Sequence, residues 1–126
     1  MWYQMPRWRS RLIAEQALMR ERFPHFVLSR DSSDRLVWRG VLVPYERGPG
    51  FLIALVLPSS YPYEPPRLFV EQPVIRSDSP HVHPDGSVCV YKDDWSPDTG
   101  TVASVVPLAS AWLLLYLIWL LTGEVW

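Results

Sequence analysis

The sequence predicts an α+β fold: an N-terminal helix, a four-stranded antiparallel meander, an irregular loop carrying the reactive side chains, and a C-terminal buried helix. Three observations carry this prediction. Residues 7–22 place apolar side chains at helical spacing, residues 26–70 hold four β-prone runs parted by turn sequences, and residues 102–121 are nearly all apolar. At 126 residues the chain reads as a single domain, 1–126. With 48% apolar and 20% charged residues it has enough hydrophobic surface to fold rather than stay disordered.

The first helix is amphipathic. Leu12, Ile13, Leu18 and Met19 form a stripe with the charges mostly off it, and Pro24 ends the segment. The strand runs are Phe26–Ser29, Leu36–Val43, Phe51–Leu57 and Leu68–Val70. The short links between the first three, Asp31–Asp34 and Glu46–Gly50, favour antiparallel neighbours. Between the third and fourth lies Tyr61-Pro-Tyr-Glu-Pro-Pro66. Three prolines in six residues fix φ and remove amide donors, so this stretch is a stiff connector rather than a central strand.

From Thr99 to Gly123 there is no charged residue. About 20 apolar residues can span a bilayer. A helix starting at Pro107, a favoured first-turn position, would however have only ~15 residues and ~23 Å of length. The expectation is therefore a buried helix, with a dimer or partner contact as the use of any excess apolar face. A membrane is not the expected partner. A net charge of −1 gives no electrostatic reason to expect nucleic acid. One cysteine and an N-terminus without a signal-like apolar core suit a reducing cytoplasm. Eleven arginines stand against a single lysine. That bias reflects either composition or an advantage to a carrier of amine-reactive groups in lacking surface amines.

Residues 81–97 concentrate the chemistry. They contain the only cysteine, Cys89, the only lysine, Lys92, two of the three histidines, and Asp85, Asp93 and Asp94. One reading is a metal site: strand-like alternation could aim His81 and His83 the same way, with Cys89 as a third ligand. A sharper version is a JAMM-like zinc metalloprotease using His81, His83 and Asp94, with Glu46, Glu64 or Glu71 as base. A third makes Cys89 a nucleophile. Three nearby carboxylates disfavour a thiolate, which suits a carrier of already activated acyl groups better than a hydrolase. The carboxylates could then orient an incoming amine. The plainest reading is an inert buried cysteine.

The order of these parts resembles the ubiquitin-conjugating enzymes. Tyr61-Pro-Tyr-Glu-Pro-Pro66 is similar to their Tyr-Pro-Phe-x-Pro-Pro. His83-Pro84, Gly86-Ser-Val-Cys89 and Trp95-Ser-Pro97 resemble their His-Pro, Gly-x-Ile-Cys and Trp-Ser-Pro in the same order. The resemblance covers residues 10–122 and implies a ubiquitin-conjugating-like (UBC) fold. Two departures stand out. Asp85 replaces the family asparagine and runs straight into Gly86, and the chain stops after one C-terminal helix.

The shortened loop and the 112–124 tail look like compact bacterial relatives found beside cGAS-like nucleotidyltransferases in CBASS anti-phage operons. The resemblance implies that Cys89 carries the C-terminus of such a nucleotidyltransferase as a thioester and passes it to an amine, with or without a separate activating enzyme. It implies that His83 and Asp85 shape the loop or assist proton transfer. Asp93, Asp94 and Trp95 would border the acceptor side, and Tyr61, Pro62, Pro65 and Pro66 would buttress the site. No cofactor or metal is implied. Because a carboxylate cannot donate to an oxyanion, a backbone amide near Ser87 or Cys89, or His83, would replace the asparagine. A catalytically inactive UBC-fold binding module is the competing expectation.

Overall fold

The structure is a computed structural model that describes residues 1–91 and 94–126; Lys92 and Asp93 lie outside the described residues. A 3₁₀ turn, Trp2–Gln4, leads into helix α1, Pro6–Arg22. Strands β1 (Val27–Arg30), β2 (Leu36–Leu42), β3 (Phe51–Val56) and β4 (Arg67–Gln72) follow, then helix α2, Val102–Thr122. The strands pair antiparallel in the order β1-β2-β3-β4, so the predicted meander is present with boundaries shifted by at most two residues.

Alternation along the strands builds the core. Trp38, Leu55 and Leu68 are register partners across β2, β3 and β4, and all three are buried on the face that meets α2. Against them α2 buries Val102, Val105, Val106, Ala109, Trp112, Leu113 and Tyr116. Val37, Ala54 and Val56 occupy the opposite face in a smaller cluster with Phe69.

Two sequence expectations are corrected. Helix α2 starts at Val102, not Pro107. The Thr101 side chain accepts from the Ser104 amide at 3.1 Å while the Ser104 hydroxyl accepts from the Thr101 amide at 3.0 Å, a reciprocal cap that starts the helix five residues before Pro107. The 21-residue helix is therefore ~32 Å long. It is long and apolar enough to cross a membrane by length and composition, with one face buried and Leu108, Leu114, Leu115, Ile118 and Leu121 exposed on the others. In α1, Ile13 is 66% exposed, and the buried positions are Met19 and a carboxylate, Glu15.

Candidate functional site

Beyond β4 the chain returns as a tight hairpin. Val82 bridges Val88, the His83 amide donates to the Ser87 carbonyl at 2.8 Å, and the Gly86 amide donates to the His83 carbonyl at 2.9 Å. Pro84 pre-sets the first turn position, and Gly86 takes φ +90°, the left-handed geometry a three-residue hairpin loop needs. The Val88 amide donates to the Leu68 carbonyl at 2.8 Å, which docks the hairpin on the edge of β4. Val88 is buried, so alternation turns the next residue, Cys89, the other way.

Cys89 is half-buried between two cavities. On one side is a groove of about 430 Å³ lined by Glu64, Pro65, Pro66, Arg67, His83, Asp85 and Tyr91. On the other is an apolar cavity of about 220 Å³ formed by Val90, Leu108, Ala111, Trp112, Leu115 and Trp126, with His81 at its side. The thiol donates to the Tyr91 carbonyl at 3.1 Å. Among the described residues no histidine or carboxylate hydrogen-bonds the sulfur, so the pairing a cysteine hydrolase needs is missing there.

Asp85 is turned inward on its own loop. Its Oδ1 accepts from the Ser87 amide at 2.9 Å and the Ser87 hydroxyl at 2.6 Å, and its Oδ2 meets Arg67 at 3.3 Å. Those Ser87 hydrogen bonds hold its carboxyl below the usual carboxylate value, with Arg67 and His83 adding to them. A depressed value in the folded state contributes stability that is present above the ordinary pKa and lost as pH falls through the folded one. Asp85 is exposed, so the contribution is small. Ser87→Ala is expected to move the Asp85 titration back up toward 3.8, as read by carboxyl NMR, with the fold intact.

The same accounting corrects the expected oxyanion donors. The Ser87 amide is taken by Asp85, the Cys89 amide by the His81 carbonyl at 2.8 Å, and the Val88 amide by Leu68. None of the three is free to point at a substrate. His83 is exposed on the wall of the polar groove.

The histidines do not converge. His81 hydrogen-bonds the main-chain oxygen of Trp126 at 2.5 Å and packs against its ring at 5.1 Å, on the α2 side, while His83 lines the opposite groove. Asp94 is exposed. Among the described residues no three His, Cys, Asp or Glu side chains gather as a metal site, so the His81–His83–Asp94 metalloprotease reading finds no geometry to stand on.

Trp95 also faces inward. Its indole nitrogen donates to the Pro62 carbonyl at 2.8 Å, and its ring meets Tyr91 at 5.3 Å and Tyr61 at 6.1 Å. Tyr61 and Pro62 are buried, and Pro65 and Pro66 form part of the groove. Of the expected acceptor-side residues, Asp93 lies outside the described residues and Asp94 alone is described as exposed. Gly100 leaves room for Trp95: a Cβ there would sit 2.4–2.7 Å from the indole ring. Gly100→Ala is expected to dislodge Trp95 and cost about 1–3 kcal/mol, measured by denaturant unfolding.

Two residues missed by the sequence reading hold this region to α1. Glu15 is 6% exposed and accepts from the Tyr61 hydroxyl at 2.8 Å, the Val102 amide at 2.8 Å and Arg11 Nε at 3.0 Å. The other two nitrogens of Arg11 donate to the carbonyls of Pro97 and Gly100, both at 2.6 Å. Burial pushes the Tyr61 phenol far above its ordinary value, with the Glu15 charge adding to the effect, so the hydroxyl stays a donor. The signal was present: Glu15 lies three residues after Leu12 and four before Met19, a carboxylate on the inward stripe.

Comparison with known proteins gives three results. Residues 15–126 match a family model described as the type II CBASS E2 protein. The chain is 28% identical over 95 residues to the Arabidopsis thaliana protein named "Probable ubiquitin-conjugating enzyme E2 31", an alignment covering 70% of this chain and 59% of that relative's length. A solved ubiquitin-conjugating enzyme from Trypanosoma cruzi aligns at a TM-score of 0.49 and 24% identity, covering 80% of this chain and 69% of that one.

Proposed function

Because the chain belongs to the type II CBASS E2 family, we propose that it is a ubiquitin-conjugating-like acyl carrier acting in the cytoplasm of a bacterium in anti-phage defence. The donor is the C-terminus of a cGAS-like nucleotidyltransferase, delivered already activated. The Cys89 sulfur attacks the donor's terminal carbonyl, the activating group departs, and a thioester forms. An acceptor amine then attacks the same carbonyl, the C–S bond breaks, and the sulfur regains a proton. His83, exposed on the wall of the groove, donates to the oxyanion in both steps. Asp85 keeps the hairpin rigid through Ser87 and Arg67 and takes no part in proton transfer.

The observation that carries this reading is the state of the thiol. Cys89 opens onto a groove, yet its sulfur bonds only a main-chain carbonyl among the described residues. A hydrolytic cysteine needs a base beside it; a carrier that receives an activated acyl group does not. The test mixes the protein with a candidate cGAS-like nucleotidyltransferase, an activating enzyme and ATP, and reads intact mass before and after thiol reductant. A reductant-labile adduct of donor mass supports the carrier. Association of the two proteins without any adduct supports an inactive binding module instead.

A further inference from the structure

The Arg11–Glu15 pair belongs to neither groove, and no step of the proposed chemistry uses it. A carboxylate this buried is rare unless it is paired, and here its partners come from three places in the chain: α1 itself, the proline link and the start of α2. Glu15 receives the Tyr61 hydroxyl from the proline link and the first amide of α2. Arg11 receives nothing in return but clamps two carbonyls, Pro97 and Gly100, of the Trp-Ser-Pro turn with its fork of donors. From that turn the contacts continue toward the sulfur. Trp95 meets the ring of Tyr91, and the Tyr91 carbonyl accepts from the Cys89 thiol.

We infer that Arg11 and Glu15 are positioning residues for the Cys89 site. They act through residues 95–101, setting where the Trp-Ser-Pro turn and the start of α2 stand relative to the sulfur. An acceptor amine must approach the thioester carbonyl from a fixed direction, and a loop displaced by about 1 Å far from the reacting atoms is enough to slow such a step about 100-fold. Charging of a thiol that opens onto a groove by a small activated acyl group has no such demand. The pair should therefore govern discharge and leave charging alone.

The inference rests on the reading of Cys89 as an acyl carrier, and the test separates the two. The full chain is charged with a short glycine-ending peptide phenyl thioester: the Cys89 sulfur attacks its carbonyl and thiophenol leaves. Discharge then follows on adding free lysine, whose amine takes the acyl group and releases the thiol. If the parent chain neither charges nor discharges, the carrier reading fails. If it does both, Arg11→Ala and Glu15→Gln are each expected to charge to the parent extent within twofold and to discharge at least tenfold more slowly at saturating lysine. The double variant should be no slower than the worse single one, because the pair acts as a unit.

A variant that merely lost folded molecules would reduce the charged fraction in proportion, which distinguishes positioning from destabilisation. Arg11→Lys keeps a cation beside Glu15 and can reach one carbonyl instead of two. It serves if Arg11→Ala does not fold, and it should discharge at an intermediate rate. Discharge within twofold of the parent in a folded, fully charged Arg11→Ala or Arg11→Lys protein would overturn the inference.

Discussion

Cys89→Ala is expected to abolish the reductant-labile adduct, a loss of at least about 100-fold that places it below detection by intact mass, while the protein stays folded. The chemistry sets the first half: without sulfur there is no group at this position able to hold an acyl chain. The structure sets the second half. The side chain is half-buried, and removing its sulfur forfeits one weak hydrogen bond to the Tyr91 carbonyl. The backbone amide of residue 89 keeps its bond to His81, and Val88 keeps the hairpin on β4. A thermal midpoint within a few degrees of the parent is expected. Cys89→Ser sharpens the result. A hydroxyl with no described base to activate it should charge slowly, and any adduct that forms would be an oxyester, stable to thiol reductant and cleaved by alkali. A reductant-labile adduct that persists in Cys89→Ala would place the reactive group elsewhere.

The second large effect concerns stability. Glu15→Ala is expected to cost about 3–5 kcal/mol, because it removes one member of a buried pair and strands the others. The Tyr61 hydroxyl and the Val102 amide both lose their acceptor inside the protein, and Arg11, only 20% exposed, loses its counter-charge and keeps only the Pro97 and Gly100 carbonyls. For a chain of this size that corresponds to a fall of about 10–20 °C in thermal midpoint. Glu15→Gln should lose much less, since an amide oxygen still accepts from Val102 or Tyr61. Calorimetry on the two variants decides it: equal losses would mean that the carboxylate charge, which Gln lacks, carries the whole effect, and no loss in Glu15→Ala would mean the buried network is energetically neutral.

Much of the fold could be read from the residues because its signals are local. Each strand announced itself by β-branched and aromatic runs, and each turn by Asp, Ser, Gly or Pro within a few positions. Where a competing local signal existed, the reading failed. Pro107 looked like a helix start, yet Thr101 and Ser104 cap each other upstream, and a proline at the sixth helical residue lacks only one amide bond. Ile13 was placed on the buried stripe as an apolar residue at helical spacing, whereas the stripe runs through Leu12, Glu15 and Met19. The candidate site was legible in that Cys89, Pro65 and Pro66 line one groove. It was not legible in its polar partners, because which amides remain free depends on bonds such as Val88 to Leu68 and Cys89 to His81. The divergence of His81 and His83 has the same origin: His81 is drawn off by Trp126, 45 positions away.

The wide sequence separation of the Arg11–Gly100 and Glu15–Val102 contacts, 89 and 87 positions, bears on how the chain acquires its structure. The meander can zip up from neighbouring strands, each closing a short loop. The clamp to α1 must gather segments from opposite ends of the chain, and that closure entropy is recovered only once the sheet and α2 are already in place. The clamp therefore forms late, on the native side of the barrier. Its loss should shorten the lifetime of the native state while leaving the speed of folding nearly untouched, so that the segment bordering the thiol is the first to be released when the molecule opens.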